Sequence, residues 1–291
     1  MLKSGVVNIY KEKGYTSHDV VAIVRRHLGK IKTGHTGTLD PQAEGVLPVC
    51  IGKATKLSNY ITAENKTYRA ELILGIKTNT YDRTSLLVDS AKNVDLKNLE
   101  AVIKSFEPGY MQKPPMYSAI KVNGNKLYDL ARKGVQIDTE PRRVQIKISI
   151  IAVYNNHIWL EIACSKGTYI RSLCHDIGEA LGAGGIMGDL VRMQSGVFNI
   201  SNSVKLQDFV KNKDGFIMPV HEVLPAKSGS IIKNPELAIN GHTISIKNVK
   251  FSQMPQADEK CWIYTGDKLI GLYKMTSKET LKLEVMMYEN N

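Results

Sequence analysis

Residues 68–76, YRAELILGI, limit the fold more than any other stretch, because Tyr68, Ala70, Leu72, Leu74 and Ile76 all fall on one face of an extended chain. A strand of this kind needs neighbours on both edges and a core beneath it. VLPVCIG (46–52) supplies a second, buried strand, residues 5–10 a third, and 142–154 with 157–164 a hairpin turning at Asn155-Asn156. Another strand is expected near Val191 to Phe198. Helical spacing alternates with these strands. Val20, Val21, Val24 and Leu28 recur at that spacing after a cap at Thr16 or Ser17, ATKLSNYI reads as a short helix, and Asp95 is expected to cap a helix reaching Phe106. Residues 168–181 are amphipathic and stop at Gly182. The class is therefore α+β. EPGYMQKPPMYSAIKVNGNK carries three prolines and no sustained period, which predicts a long ordered loop or flap.

The texture changes after Leu224. PAKSGSIIKNP reads as a linker, and TISIKNV, CWIYTG, KLIGLYKM and LKLEVMMY then alternate as short strands with a TGDK turn. Two domains are expected, 1–226 and 230–291, the second small and all-β.

Composition matters chiefly through charge. The chain of 291 residues carries a net charge of +11, and 43% of it is hydrophobic, enough for a substantial core. Residues 231–291 hold 8 Lys+Arg against 7 Asp+Glu, leaving 31 against 21 upstream. The surplus lies in the first part, where Arg25, Arg26, Lys30 and Lys32 cluster, as do Arg132, Lys133, Arg142 and Arg143. Such a surface attracts a polyanion by counterion release. No apolar run is long enough for a membrane helix and MLKSGVVNIYKEKG lacks a signal-peptide core, so a cytoplasmic protein without a membrane partner is expected. The four cysteines show no CxxC pair or zinc spacing, which predicts reduced thiols and no metal.

GHTGTLDPQAEGVLP (34–48) is the most unusual stretch, joining three glycines and a histidine to one aspartate whose backbone is restricted by Pro41. It matches neither GxxxxGK[ST] nor GxGxxG, so it is not a phosphate cradle. With IGKATKL after it, this stretch resembles the catalytic motif of the TruB family of pseudouridine synthases. GYTSHDVV, KTYRAELILGIKTNTYD, PPMYSAIKVNGNKLYDLARKG, CSKGTYIRSLCHDIGEALG and LVRMQSGVF follow the family order around it. The chain departs where the family commonly has Lys-Pro, showing Lys11-Glu12-Lys13-Gly14 instead.

The resemblance implies a mixed, mainly antiparallel catalytic sheet with flanking helices and a PUA-like RNA-binding tail. It further implies isomerisation of uridine 55 in the T-arm loop of tRNA, without cofactor, by a monomer that needs no protein partner. Asp40 is then the catalytic carboxylate, acting at the ribose or on the base. Arg171 pairs with it, and Tyr68 stacks on the flipped uracil and assists at C5. Tyr169 and Leu190 line the uridine pocket, and His35 fills the space vacated by the base. Lys53 and Lys56 are candidate contacts to the RNA backbone. Two rivals remain: a guide-RNA-dependent synthase of the dyskerin type, and an RNA-binding or RNA-folding protein in which catalysis is secondary.

Overall fold

The structure, a computed structural model, describes residues 4–85, 87–90, 94–118, 120–122 and 124–288. β1 (Gly5–Lys11) leads to α1 (Ser17–His27), and the chain continues through β2 (Thr33–His35) to β3 (Glu44–Ile51). A 3-10 turn at Gly52–Leu57 and α2 (Ser58–Thr62) precede β4 (Lys66–Leu74). β5 (Ile76–Thr78) pairs with β6 (Leu87–Ser90), and α3 (Leu99–Ser105) runs to β7 (Gly109–Gln112). A small hairpin, β8 (Lys121–Val122) with β9 (Asn125–Lys126), is followed by α4 (Leu127–Arg132). β10 (Arg142–Tyr154) and β11 (His157–Cys164) form the long hairpin, and α5 (Ile170–Ala180) connects them to β12 (Gly185–Ser195). β13 (Phe198–Asn199), β14 (Val204–Lys205), α6 (Leu206–Lys211), β15 (Ile217–Met218) and α7 (Val220–Val223) complete this part. The remainder is β16 (Lys227–Ile231), α8 (Pro235–Ile239), β17 (Ile244–Ser245), β18 (Val249–Phe251), β19 (Lys260–Thr265), β20 (Lys268–Met275) and β21 (Thr280–Met286).

The first sheet runs β14-β1-β3-β12-β4-β11-β10-β7, with β2, β13 and β15 attached at its margins. Its named pairings are antiparallel except β1 with β14 and β3 with β12. This is the mixed, mainly antiparallel sheet that the resemblance implied. β4 sits inside it, and Tyr68, Ala70, Leu72 and Leu74 enter the principal core with Val20 and Val24 of α1 and Leu173 and Ile177 of α5. Local sequence sets α1: Thr16 Oγ1 accepts from the Asp19 N–H while the Asp19 carboxylate accepts from the Thr16 N–H, and Arg25, Arg26 and His27 occupy the last turn.

The second sheet, β17-β21-β20-β19-β16-β18, corrects the expected linker. Residues 227–231 form an inner strand between β19 and β18, starting three residues before the expected second domain. The small residues serve packing here, not flexibility: a Cβ on Gly229 would lie 2.6 Å from side-chain atoms of both Phe251 and Val249. Nor are the two parts loosely joined. Val6, Cys50, Leu57, Ile61 and Phe198 share one buried cluster with Trp262, Leu272, Val285 and Met287, and the Trp262 indole N–H donates to the Leu224 carbonyl at 2.8 Å.

Other expectations change as well. The 107–126 segment contains β7 and the β8–β9 hairpin as well as loop. Asp95 does not cap α3; its carboxylate closes a turn on the Lys97 N–H, and the helix starts at Leu99. β12 begins at Gly185, earlier than the Val191 expected, because two glycines in GIMGDL hide its strand character. The four cysteines are buried as free thiols, and burial pushes Cys50 and Cys261 up to about 12 and Cys164 to about 11. Among the described residues no helix is long and apolar enough to cross a membrane.

Candidate active site

Asp40 sits in the loop between β2 and β3, and the backbone on either side of it is held by distant groups. The Ser17 hydroxyl, at the first position of α1, accepts from the Leu39 N–H at 2.9 Å and donates to the Leu39 carbonyl at 3.1 Å. On the other side, Pro41 O accepts from Lys11 Nζ at 3.1 Å and from the Gly14 N–H at 3.0 Å. Lys11 is fully buried at the end of β1, and its ammonium also meets the carbonyls of Tyr15 at 2.7 Å and Glu12 at 3.2 Å. Its three donors are thus all used, as a buried lysine requires. Burial lowers its pKa to about 8, against the opposing pull of Asp40 and Glu44. The departure at Glu12 therefore leaves a loop tied at three carbonyls by the preceding lysine.

A second buried cation supports the same loop from β12. Arg192 is 1% exposed, and its guanidinium donates to Val46 O at 2.6 Å and Gly37 O at 3.2 Å. Gly45, at φ +102°, lets the backbone of β12 lie close against β3 at this point, since a Cβ there would lie 2.3 Å from the Arg192 carbonyl oxygen.

The Asp40 carboxylate faces Arg171 near the start of α5. Nε lies 3.0 Å from Oδ2 and Nη2 3.5 Å from Oδ1, so the fork meets both oxygens. The Arg171 side chain is 8% exposed and that of Asp40 40%, which leaves the carboxylate open to a ligand while its partner is enclosed. Arg171 is itself anchored: Nη2 donates to Tyr117 O at 2.8 Å, Nη1 to Thr80 O at 3.4 Å, and the Asp82 carboxylate stands 3.9 Å from Nε. α5 begins later than the expected 168 because Thr168 turns back on Ser165 O and Tyr169 is extended. Gln112 clamps Tyr169 there, its amide oxygen accepting from the Tyr169 N–H at 2.7 Å and its amide nitrogen donating to the carbonyl at 3.0 Å.

Tyr68 and Leu190 lie on the neighbouring strands β4 and β12 and share the principal core cluster. Burial raises the Tyr68 phenol above its usual pKa, and the adjacent Arg192 charge opposes the rise. Tyr169 is half-buried with the Arg142 guanidinium over its ring at 5.2 Å. His35 ends β2 and meets the His18 ring edge-on at 5.3 Å; burial, with His18 and Arg192 nearby, holds its pKa at about 4, so the imidazole is neutral near pH 7.

Lys53 and Lys56 stand apart from this group. Lys53 Nζ donates to Tyr288 O and Lys56 Nζ to Met286 O at 3.4 Å, so both reach the carboxyl end of β21 at the seam between the sheets. Lys56 is exposed and Lys53 partly buried, and each meets a backbone carbonyl there.

The comparisons with known proteins come down on one family. A model of the TruB family pseudouridylate synthase N-terminal domain matches residues 25–170, and one of the tRNA pseudouridylate synthase B C-terminal domain matches 171–224. The tRNA pseudouridine synthase B of Clostridium tetani is 40% identical over 284 residues, covering 96% of this chain and 98% of that protein. That of Alkaliphilus oremlandii is 44% identical, covering 92% of each. The chain belongs to the TruB family of pseudouridylate synthases. Among solved structures, the chain of an H/ACA RNP bound to a substrate RNA containing 2'-deoxyuridine aligns at a TM-score of 0.72 and 26% identity, over 98% of this chain and 85% of that one. In this TruB-family chain the supports that sequence reasoning missed are Lys11, Gln112 and Arg192. Lys11 and Arg192 did leave a signal: each is a cation directly following apolar residues of a strand, IYK at the end of β1 and LVRM within β12.

Proposed function

We propose that this chain converts uridine 55 in the T-arm loop of tRNA to pseudouridine, acting alone as a monomer in the cytoplasm and without a cofactor. The observation that carries the reading is the half-open Asp40 carboxylate held by the enclosed Arg171 fork, with Tyr68 and Leu190 on adjacent strands behind it. In the reaction the bond from uracil N1 to ribose C1′ breaks and one from C5 to C1′ forms. The C5 proton is lost and N1 gains one, so no atom enters from outside. A single carboxylate suffices because no water is added, unlike in a glycosidase. Asp40 acts at the ribose or on the base; Arg171 fixes its orientation and balances its charge. Tyr68 stacks on the flipped uracil and Tyr169 and Leu190 line the pocket. The neutral His35 suits the space left in the RNA loop, where a flat uncharged ring stacks on bases.

In this reading residues 1–226 form the catalytic part, and the second sheet is a PUA-like module touching the far end of the tRNA. The test is tritium release from a T-arm stem-loop labelled at uridine C5, with the purified chain and no other component. Release by the wild type is expected. Asp40→Asn should fall below a tenth of that rate while stem-loop affinity stays within about tenfold. Activity that appears only with an added guide RNA would favour the dyskerin-type rival.

A further inference from the structure

Glu71 is buried, with 5% of its surface exposed, on β4 three residues beyond Tyr68 and on the opposite face. Its carboxylate draws in three elements. His157 Nδ1, at the start of β11, lies 2.6 Å from Oε1; Arg83 Nη2 lies 2.9 Å and the Asp189 N–H 3.0 Å from Oε2. Space for the carboxylate depends on Gly188, since a Cβ there would lie 2.1 Å from Glu71 Oε2. The pairing of β12 with β4 shifts register between Met187 and Leu190, the interval that holds Gly188 and Asp189. Asp189 extends the contacts to Lys13 Nζ at 2.9 Å and Arg83 Nη1 at 3.7 Å.

Both ends of this arrangement adjoin the site. Leu190 follows Asp189, and Asp82, which faces Arg171, precedes Arg83. The same two segments also touch directly, the Met187 N–H donating to Tyr81 O at 2.9 Å. We propose that Glu71 is a positioning residue for the isomerisation, clamping the 187–190 irregularity against the 80–83 turn and so setting Leu190 relative to Asp82, Arg171 and Asp40. It rests on the assignment of the reaction to Asp40, and it acts without touching the substrate.

The experiment measures single-turnover rate at saturating stem-loop RNA, stem-loop affinity and unfolding midpoint for Glu71→Ala, Glu71→Gln, Gly188→Ala and the double variant Glu71→Ala/Gly188→Ala, with Asp40→Asn as control. Glu71→Ala should lose about tenfold or more in rate while affinity stays within about threefold. Glu71→Gln should recover most of the rate, because its amide oxygen still accepts from the Asp189 N–H. Gly188→Ala should slow the wild type but cost little more beside Glu71→Ala, because the new methyl then fills the vacated space. An unchanged rate in folded Glu71→Ala overturns the proposal, as do additive losses in the double variant or a Gln variant no better than Ala. Should Glu71→Ala fail to fold, wild-type rates in both Glu71→Gln and Gly188→Ala overturn it. Activity retained by Asp40→Asn is a separate result, which sinks the assignment of the site itself.

Discussion

Arg171 offers Asp40 a planar fork, and three other oxygens fix where that fork stands: Thr80 O, Tyr117 O and the Asp82 carboxylate. Arg171→Lys keeps a positive charge but loses the fork and most of these anchors, so single-turnover rate is expected to fall on the order of a hundredfold, as for a misplaced catalytic group. Asp40→Asn combined with Arg171→Lys should be no slower than Asp40→Asn alone; a double variant showing the product of the two losses would mean the residues act separately. His35 gives a different residue-scale expectation, in pH. Its folded-state pKa of about 4 lies below the usual value of about 6.5, so the neutral ring favours folding above the higher value. As pH falls from about 6.5 toward about 4, the unfolded chain takes up the proton first and stability is lost. Denaturant titrations at about pH 7 and about pH 5 should show a smaller acid loss for His35→Gln than for the wild type.

At the scale of elements, α1 does more than pack, because its first residue holds the backbone next to Asp40. Ser17→Ala leaves the buried Leu39 N–H and carbonyl without their partner, which should cost about 1–3 kcal/mol by denaturant unfolding and slow the isomerisation as the loop loosens. An unchanged rate would show that Lys11 and Arg192 hold the loop by themselves. The start of α1 was legible because a cap and a 3.6-residue period are written in adjacent positions, and β4 was legible for the same local reason. β16 was not, because Ser and Gly report equally a flexible linker and a strand with neighbours pressed close on it, and only Phe251 and Val249 tell the two apart. The pair Asp40 and Arg171 was readable only through the resemblance of two motifs 131 positions apart. Nothing local marked Gln112, whose role arises entirely from where β7 meets Tyr169.

For the whole molecule, the shared cluster at the seam matters more than any boundary drawn through the chain. Ending the chain after Ala226 would bare Val6, Cys50, Leu57, Ile61 and Phe198 and remove Trp262 from among them. Such a truncation is expected to aggregate or to lose its cooperative unfolding transition, seen by size-exclusion chromatography and thermal denaturation. A soluble, folded truncation that still isomerises the stem-loop would show that the second sheet contributes little to the stability of the first.

The four buried thiols give this architecture a built-in clock. Cys50 lies at the seam, Cys164 on the long hairpin, Cys174 on the helix that bears Arg171, and Cys261 inside the second sheet. All four have their pKa values raised by burial, so a thiol reagent in native buffer meets almost no thiolate until the surrounding segment opens. The order in which they become alkylated is therefore the order in which parts of the protein breathe, and a Cys50 that reacts in step with Cys261 means that the seam and the interior of the second sheet open as one event.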